Sequence, residues 1–219
     1  MGSVEPITTV ADATMRLGIR AVRNVALGLS LLSAHRTGIC RRFDYDRYWS
    51  ASLARAISAQ HLSRRLRIAA PAEAYIVALL SQIGSLALAS IYPEKYSELL
   101  ASCDPRDPAD LARREHAIFA IDHGEISAYM LEEWGLPASY AAAVRLHEQA
   151  VASAELSTPD IEGLISVLRA AQLLSDALTT PLEGTEKAQV LNLAAQLERL
   201  RTTLAIERED YFLFLDAIA

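Results

Sequence analysis

Phe119-Ala120-Ile121-Asp122-His123-Gly124-Glu125-Ile126 runs on to Trp134-Gly135-Leu136-Pro137, and the reading of this stretch decides the fold. Asp122 is suited to cap a helix by accepting an orphan backbone N–H, and the spacing predicts a helix over 122–134. The stop is sharp, because Gly135 can take the left-handed position that follows a helix and Pro137 can open the next one. Two helices joined this closely must pack as neighbours.

Outward from there, the helical signal continues in both directions. Downstream, helices are expected over 137–148 and 160–178, separated by the small and polar stretch from Ala150 to Pro159. A break over 180–184 precedes an amphipathic helix from Thr185 to Ala205, and Tyr211, Phe212, Phe214 and Leu215 mark a last short one. Upstream, a helix is expected over 108–119, capped by Asp107 in the turn Asp104-Pro105-Arg106-Asp107-Pro108, and a short helix from Tyr92-Pro93 to about Cys103. Pro71 opens a helix through Leu88 that is apolar nearly all round, the pattern of a central buried helix, with Ser81, Gln82 and Gly84 inside it. Another helix runs from about Asp46 to Ile68, with Tyr48, Leu53, Ala56, Ile57 and Leu62 on one face and Arg and Gln on the other. Periodic apolar residues from Val10 to Leu32, broken at Gly18, add two more.

Composition supports an all-α reading. Of 219 residues, 52% are hydrophobic and only 6% aromatic, and Ala and Leu, both good helix formers, dominate. The chain is long enough to bury a real core. A net charge of −6 and a pI near 5.4 disfavour general nucleic-acid binding. Arg36, Arg41, Arg42, Arg47, Arg55, Arg64, Arg65 and Arg67 concentrate positive charge in the first third, read either as solvated helix faces and C-terminal helix ends or as a docking patch for an acidic partner or phosphate. Cys40 and Cys103 have no metal-ligand spacing and signal no disulfide framework, which fits the cytoplasm. No secretory signal is legible and no membrane span is expected, since Pro71, Glu73 and Gln82 interrupt the longest apolar tract. No GxSxG elbow, glycine-rich phosphate loop, HExxH or EF-hand loop occurs.

Four segments, in order, resemble the HDOD domain, a signalling offshoot of the HD superfamily of metal-dependent phosphohydrolases. Tyr48-Trp49-Ser50-Ala51-Ser52-Leu53-Ala54 is similar to the helix that carries the first metal-binding histidine, here Ala51. Leu79-Leu80-Ser81-Gln82-Ile83-Gly84 resembles the helix of the His-Asp pair, here Ser81 and Gln82. The stretch from Phe119 to Pro137, followed by His147-Glu148, resembles the HDOD pattern of a His, a Trp-Gly-Leu-Pro turn and a further His, and Gln172-Leu173-Leu174-Ser175-Asp176 resembles the helix of the last aspartate. His123, His147 and Asp176 thus stand at family-like positions, while the first His and the His-Asp centre are replaced.

The resemblance implies a compact HD/HDOD-like bundle over 1–180, shortened at its N-terminus, with 181–219 packing on the same domain. It implies a non-catalytic bacterial signalling module with no metal or other cofactor, acting through contact with other signalling proteins in regulatory or cyclic-dinucleotide-linked pathways, with a homodimer among the expected assemblies. An alternative is a sensor that binds a nucleotide or metabolite in an emptied metal pocket lined by Ser81, Gln82, His123, His147 and Asp176. A residual metal-dependent phosphohydrolase is a third, disfavoured because three surviving ligands are few for two ions. The plainer alternatives are that His123 packs near a helix start behind the Asp122 cap, that His147 favours a helix C-terminal dipole, and that Trp49 and Trp134 are core anchors.

Overall fold

Local chemistry sets most helix ends. The computed structural model describes residues 38–103, 108–148 and 158–179, with Ala26 alone outside these ranges. The elements within them are helices. The expected helices over 10–32, 185–205 and 211–215, the cap at Asp107 and most of the 150–159 loop lie outside the described residues.

Helix α1 (Tyr45–Leu66) starts where the Asp44 side chain accepts from the Arg47 backbone N–H at 2.9 Å, and ends as Arg67 turns left-handed at φ 55°. Helix α2 (Pro71–Leu80) has proline in its first turn and Glu73 close behind, both suited to a helix N-terminus. After α3 (Ile83–Ile91), helices α4 (Pro93–Ser102) and α5 (Pro108–Phe119) also begin at prolines. The left-handed Ala120 (φ 60°) leads into α6 (His123–Glu133). Gly135, at φ 76°, closes α6 as expected, and α7 (Ala138–Leu146) follows Pro137. Helix α8 (Pro159–Thr179) is the last one described.

One expectation fails. The tract opened by Pro71 is two helices, α2 and α3, with the break at Ser81-Gln82. The reason is tertiary: the Gly84 N–H donates to Ser127 Oγ at 2.8 Å, and a Cβ on Gly84 would lie 2.1 Å from the His123 carbonyl oxygen. The chain unwinds for a close approach to the start of α6, and only glycine fits there. By length and composition alone, Pro71–Ile91 taken as one stretch is apolar enough to cross a membrane, but 67% of its apolar window is buried inside the fold, in line with the reading of a buried core segment.

Helix α1 packs on α2 and α8, α6 on α7 and α3, and α7 on α8. A main core gathers Leu62, Val77, Leu80, Leu131, Val144 and Leu168. A second gathers Leu86, Leu88, Tyr96 and Leu99, with Phe43 and Phe119 packed against it. Trp134 packs against the first core and Trp49 against the second, as core anchors do. The α2–α3 break carries the chain from one core to the other, since Ile83 belongs to the first and Leu86 to the second.

Candidate functional site

His123 is the first residue of α6 and is 1% exposed. Two features hold it there. Asp122 and Glu125 form a reciprocal capping box, each side chain accepting the other's backbone N–H. Ser127 Oγ then donates to the His123 carbonyl at 2.7 Å.

The imidazole lies between two carboxylates. Nδ1 is 2.5 Å from Glu115 Oε2 on α5, and Nε2 is 2.8 Å from Glu148 Oε2 just beyond α7. Glu115 is 0% exposed, and the same Oε2 accepts the His123 backbone N–H at 2.8 Å while Tyr96 donates its hydroxyl to Oε1 at 2.7 Å. Burial opposes a charge on His123, but Glu148 and Glu115 outweigh it and raise its pKa well above the ordinary value, which favours the imidazolium form between the two carboxylates. Glu148 answers in kind: burial pushes its carboxyl up, but the charge and hydrogen bond of His123 win and hold it well below the usual carboxylate range. The Gln82 amide donates to Glu148 Oε1. Tyr96, Glu115, His123, Glu148 and Gln82 therefore form one continuous hydrogen-bonded chain across the two cores.

A cavity of about 170 Å³ lies beside this chain, bordered by Gln82, His123, Glu148, Asp176 and Ala51. Arg42, Asp44, Arg47, Arg55, Ser85 and Gln172 complete its polar wall, and Phe43, Tyr48, Tyr96, Leu100 and Leu111 form an apolar one. Three of the five residues expected to line a pocket, Gln82, His123 and Asp176, are thus brought together.

Ser81 and His147 do not border the cavity. Ser81 is fully buried behind it, donating to the Ala78 carbonyl at 3.0 Å and accepting from Arg55 Nη1 at 3.2 Å. His147 is also buried, its Nδ1 donating to the Val144 carbonyl at 2.6 Å, and burial lowers its pKa. It is therefore no cation stabilising a helix end, as the sequence reading allowed. Arg169 of α8 fills that role, donating to the carbonyls of His147 at 2.8 Å and Leu146 at 3.3 Å. Asp176 accepts from Gln172 Nε2 at 2.9 Å, and burial raises its pKa. His61 and His116 are exposed, as expected, and His35 lies outside the described residues.

Glu115 escaped the sequence reading, while Glu148 was noted only beside His147 and Arg55 only as one of a cluster of arginines. Arg55 was assigned to the polar face of its helix, yet it is 4% exposed and belongs to the inward stripe Ser52, Arg55, Ala56, Ala59 and Leu62. That spacing of three and four was the available signal. Glu115, four residues after the buried Leu111, carried a similar one.

Comparison with known proteins bears directly on this geometry. The sequence matches the HDOD domain over residues 1–150. It is 35% identical to the MmoQ response regulator of Methylococcus capsulatus str. Bath, covering 91% of this chain and 78% of that one, with a TM-score of 0.62. The chain belongs to the HDOD family. An HDOD domain protein of unknown function from Geobacter sulfurreducens shares the fold at 16% identity, with a TM-score of 0.58 and coverage of 98% and 72%. A Shewanella amazonensis SB2B protein with only a provisional phosphohydrolase assignment also shares it, at 22% identity, a TM-score of 0.57 and coverage of 91% and 68%. No curated protein sequence matches the chain.

The metal chemistry of the wider HD superfamily can be tested against this HDOD site. Ala51 brings no donor to the cavity, and Ser81 Oγ is turned away to a backbone carbonyl and Arg55. Both ring nitrogens of His123 are taken by carboxylate oxygens, of Glu115 and of Glu148, so neither is left for an ion. Gln82 spends its amide on Glu148. Among the described residues no cluster of His, Cys, Asp and Glu is arranged to hold an ion. The residues present do not fit a di-metal centre.

Proposed function

We propose that this HDOD domain is a non-catalytic signalling module that works by binding other proteins. Family membership and the response-regulator relative support the signalling role. The loss of catalysis rests on one observation: an imidazolium clamped between Glu115 and Glu148 stands at the position from which the resemblance expects a metal ligand. A positive charge supplied by His123 neutralises carboxylates that a cation would otherwise need to neutralise, and among the described residues no metal-binding cluster is left to polarise a phosphate ester. With hydrolysis gone, the helical scaffold has its surfaces to work with, and contact with other signalling proteins or a second copy of the chain is the function left to it. A cytoplasmic setting agrees with two free thiols, Cys40 and Cys103.

The test is protein purified without chelators, assayed for bound divalent metal, for thermal shifts with Mn, Fe, Mg and Zn, and for phosphodiester hydrolysis. No stoichiometric metal, no shift and no turnover are expected. Metal that is bound in stoichiometric amount and supports turnover lost in His123→Gln overturns the proposal.

A further inference from the structure

The cavity beside the clamp contains an unresolved electrostatic problem of its own. Arg55 is buried and borders the cavity, yet among the described residues its direct partner is a hydroxyl, that of Ser81 at 3.2 Å. Among the described residues its Nε has no partner, and Tyr48, Asp176 and Glu148 act on it through space. A buried guanidinium held by one neutral hydrogen bond is costly, and it calls for an anion. Glu148 cannot serve, being taken by His123 and Gln82. On the same wall Gln172 presents the opposite defect: its Nε2 donates to Asp176, but its buried Oε1 accepts nothing. A residue with an orphan donor and one with an orphan acceptor thus border one cavity, with the cations Arg42 and Arg47 and the carboxylates of Asp44, Glu148 and Asp176 also on its wall.

We propose that this cavity binds a small oxyanion, a phosphate or carboxylate group, on Arg55, with an O–H or N–H of the same ligand donating to Gln172 Oε1. Hydrogen phosphate carries both features in one ion. Size sets the class of ligand: about 170 Å³ is below the roughly 300 Å³ at which drug-sized pockets begin, so the cavity takes a phosphate or small organic acid and excludes a whole dinucleotide. The proposal rests on the metal-free reading of the site.

The experiment uses the full chain and follows the Arg55 Nε–H resonance by NMR, with calorimetry alongside, while inorganic phosphate or acetate is added at constant ionic strength against chloride. A saturable shift with phosphate, with acetate or with both is expected, and which of the two binds identifies the source of the oxyanion. Affinity should fall about tenfold or more in Arg55→Gln and by a smaller factor in Gln172→Ala. A response no different from chloride, or one indifferent to both substitutions, overturns the proposal. Should Arg55→Gln fail to fold, the wild-type resonance and Gln172→Ala decide. Running each titration with EDTA and with Mn²⁺ separates the two readings. Binding that requires Mn²⁺ defeats the metal-free reading along with this one, whereas no binding under either condition defeats only the oxyanion site.

Discussion

At the scale of single residues, His123 concentrates the energetics of the site. Of its two carboxylate partners Glu115 is fully buried and Glu148 partly so, so His123→Gln leaves both without a counter-charge and should cost up to about 3–5 kcal/mol, measured by urea unfolding. The pH dependence follows from the same pair of contacts. Because the folded-state pKa of His123 is raised above its ordinary 6.5, its contribution is full below about pH 6.5 and is lost as pH rises through the folded value. His147, lowered by burial, acts in the other sense and costs stability as pH falls through its ordinary range. Between about pH 6.5 and 8 the wild type should therefore lose stability with rising pH, by up to about 1.4 kcal/mol per unit, and His123→Gln should flatten that slope. Gly84 is the other single residue on which the site depends. Gly84→Ala drives a methyl into the His123 carbonyl and should destabilise by about 1–3 kcal/mol, read from the denaturation midpoint.

At the scale of elements, helix ends were legible because they are written locally. Prolines at 71, 93 and 137 and the cap at Asp122 placed several helix starts within two residues of those observed. Asp122→Ala removes half of the α6 capping box and should cost about 1 kcal/mol, with faster amide exchange at Glu125, whose N–H loses its acceptor. What local chemistry could not reveal is the α2–α3 break, because Ser127, which takes the Gly84 N–H, lies 43 positions away in the chain. The site divided the same way. Gln82, His123 and Asp176 were found by their place in a family pattern, and Glu115 and Arg55 were missed because charged residues on a helix are ordinarily read as solvent-facing. His147 was found but given the wrong role, since its burial depends on α8 packing over the end of α7.

At the scale of the whole molecule, two cores meet at the site, and neither closes without the segment that joins α2 to α3. Leu168, fully buried in the main core where α8 covers its neighbours, is a test of how much that closure contributes. Leu168→Ala should lower global stability by about 2–5 kcal/mol, followed by thermal or urea unfolding. Ser175 Oγ donates to the Ala51 carbonyl at 2.8 Å and ties α8 to α1 on one side of the cavity, while Arg169 ties it to the end of α7 on the other. The cavity is thus framed by helices distant in sequence, and its shape depends on all of them being in place.

The clamp around His123 has a historical consequence. A lineage returning toward metal chemistry by single substitutions would meet an obstacle at each step. Gln82→Asp alone would set a third carboxylate against Glu148, whose Oε1 now accepts from Gln82. Ser81→His alone would force a large ring into a fully buried position beside Arg55. Ala51→His alone would add a ligand next to an imidazolium already committed to two carboxylates. Each of these substitutions is unfavourable before the others are made, so the arrangement acts as a ratchet: on the proposed reading, a metal centre is reached only by several changes at once.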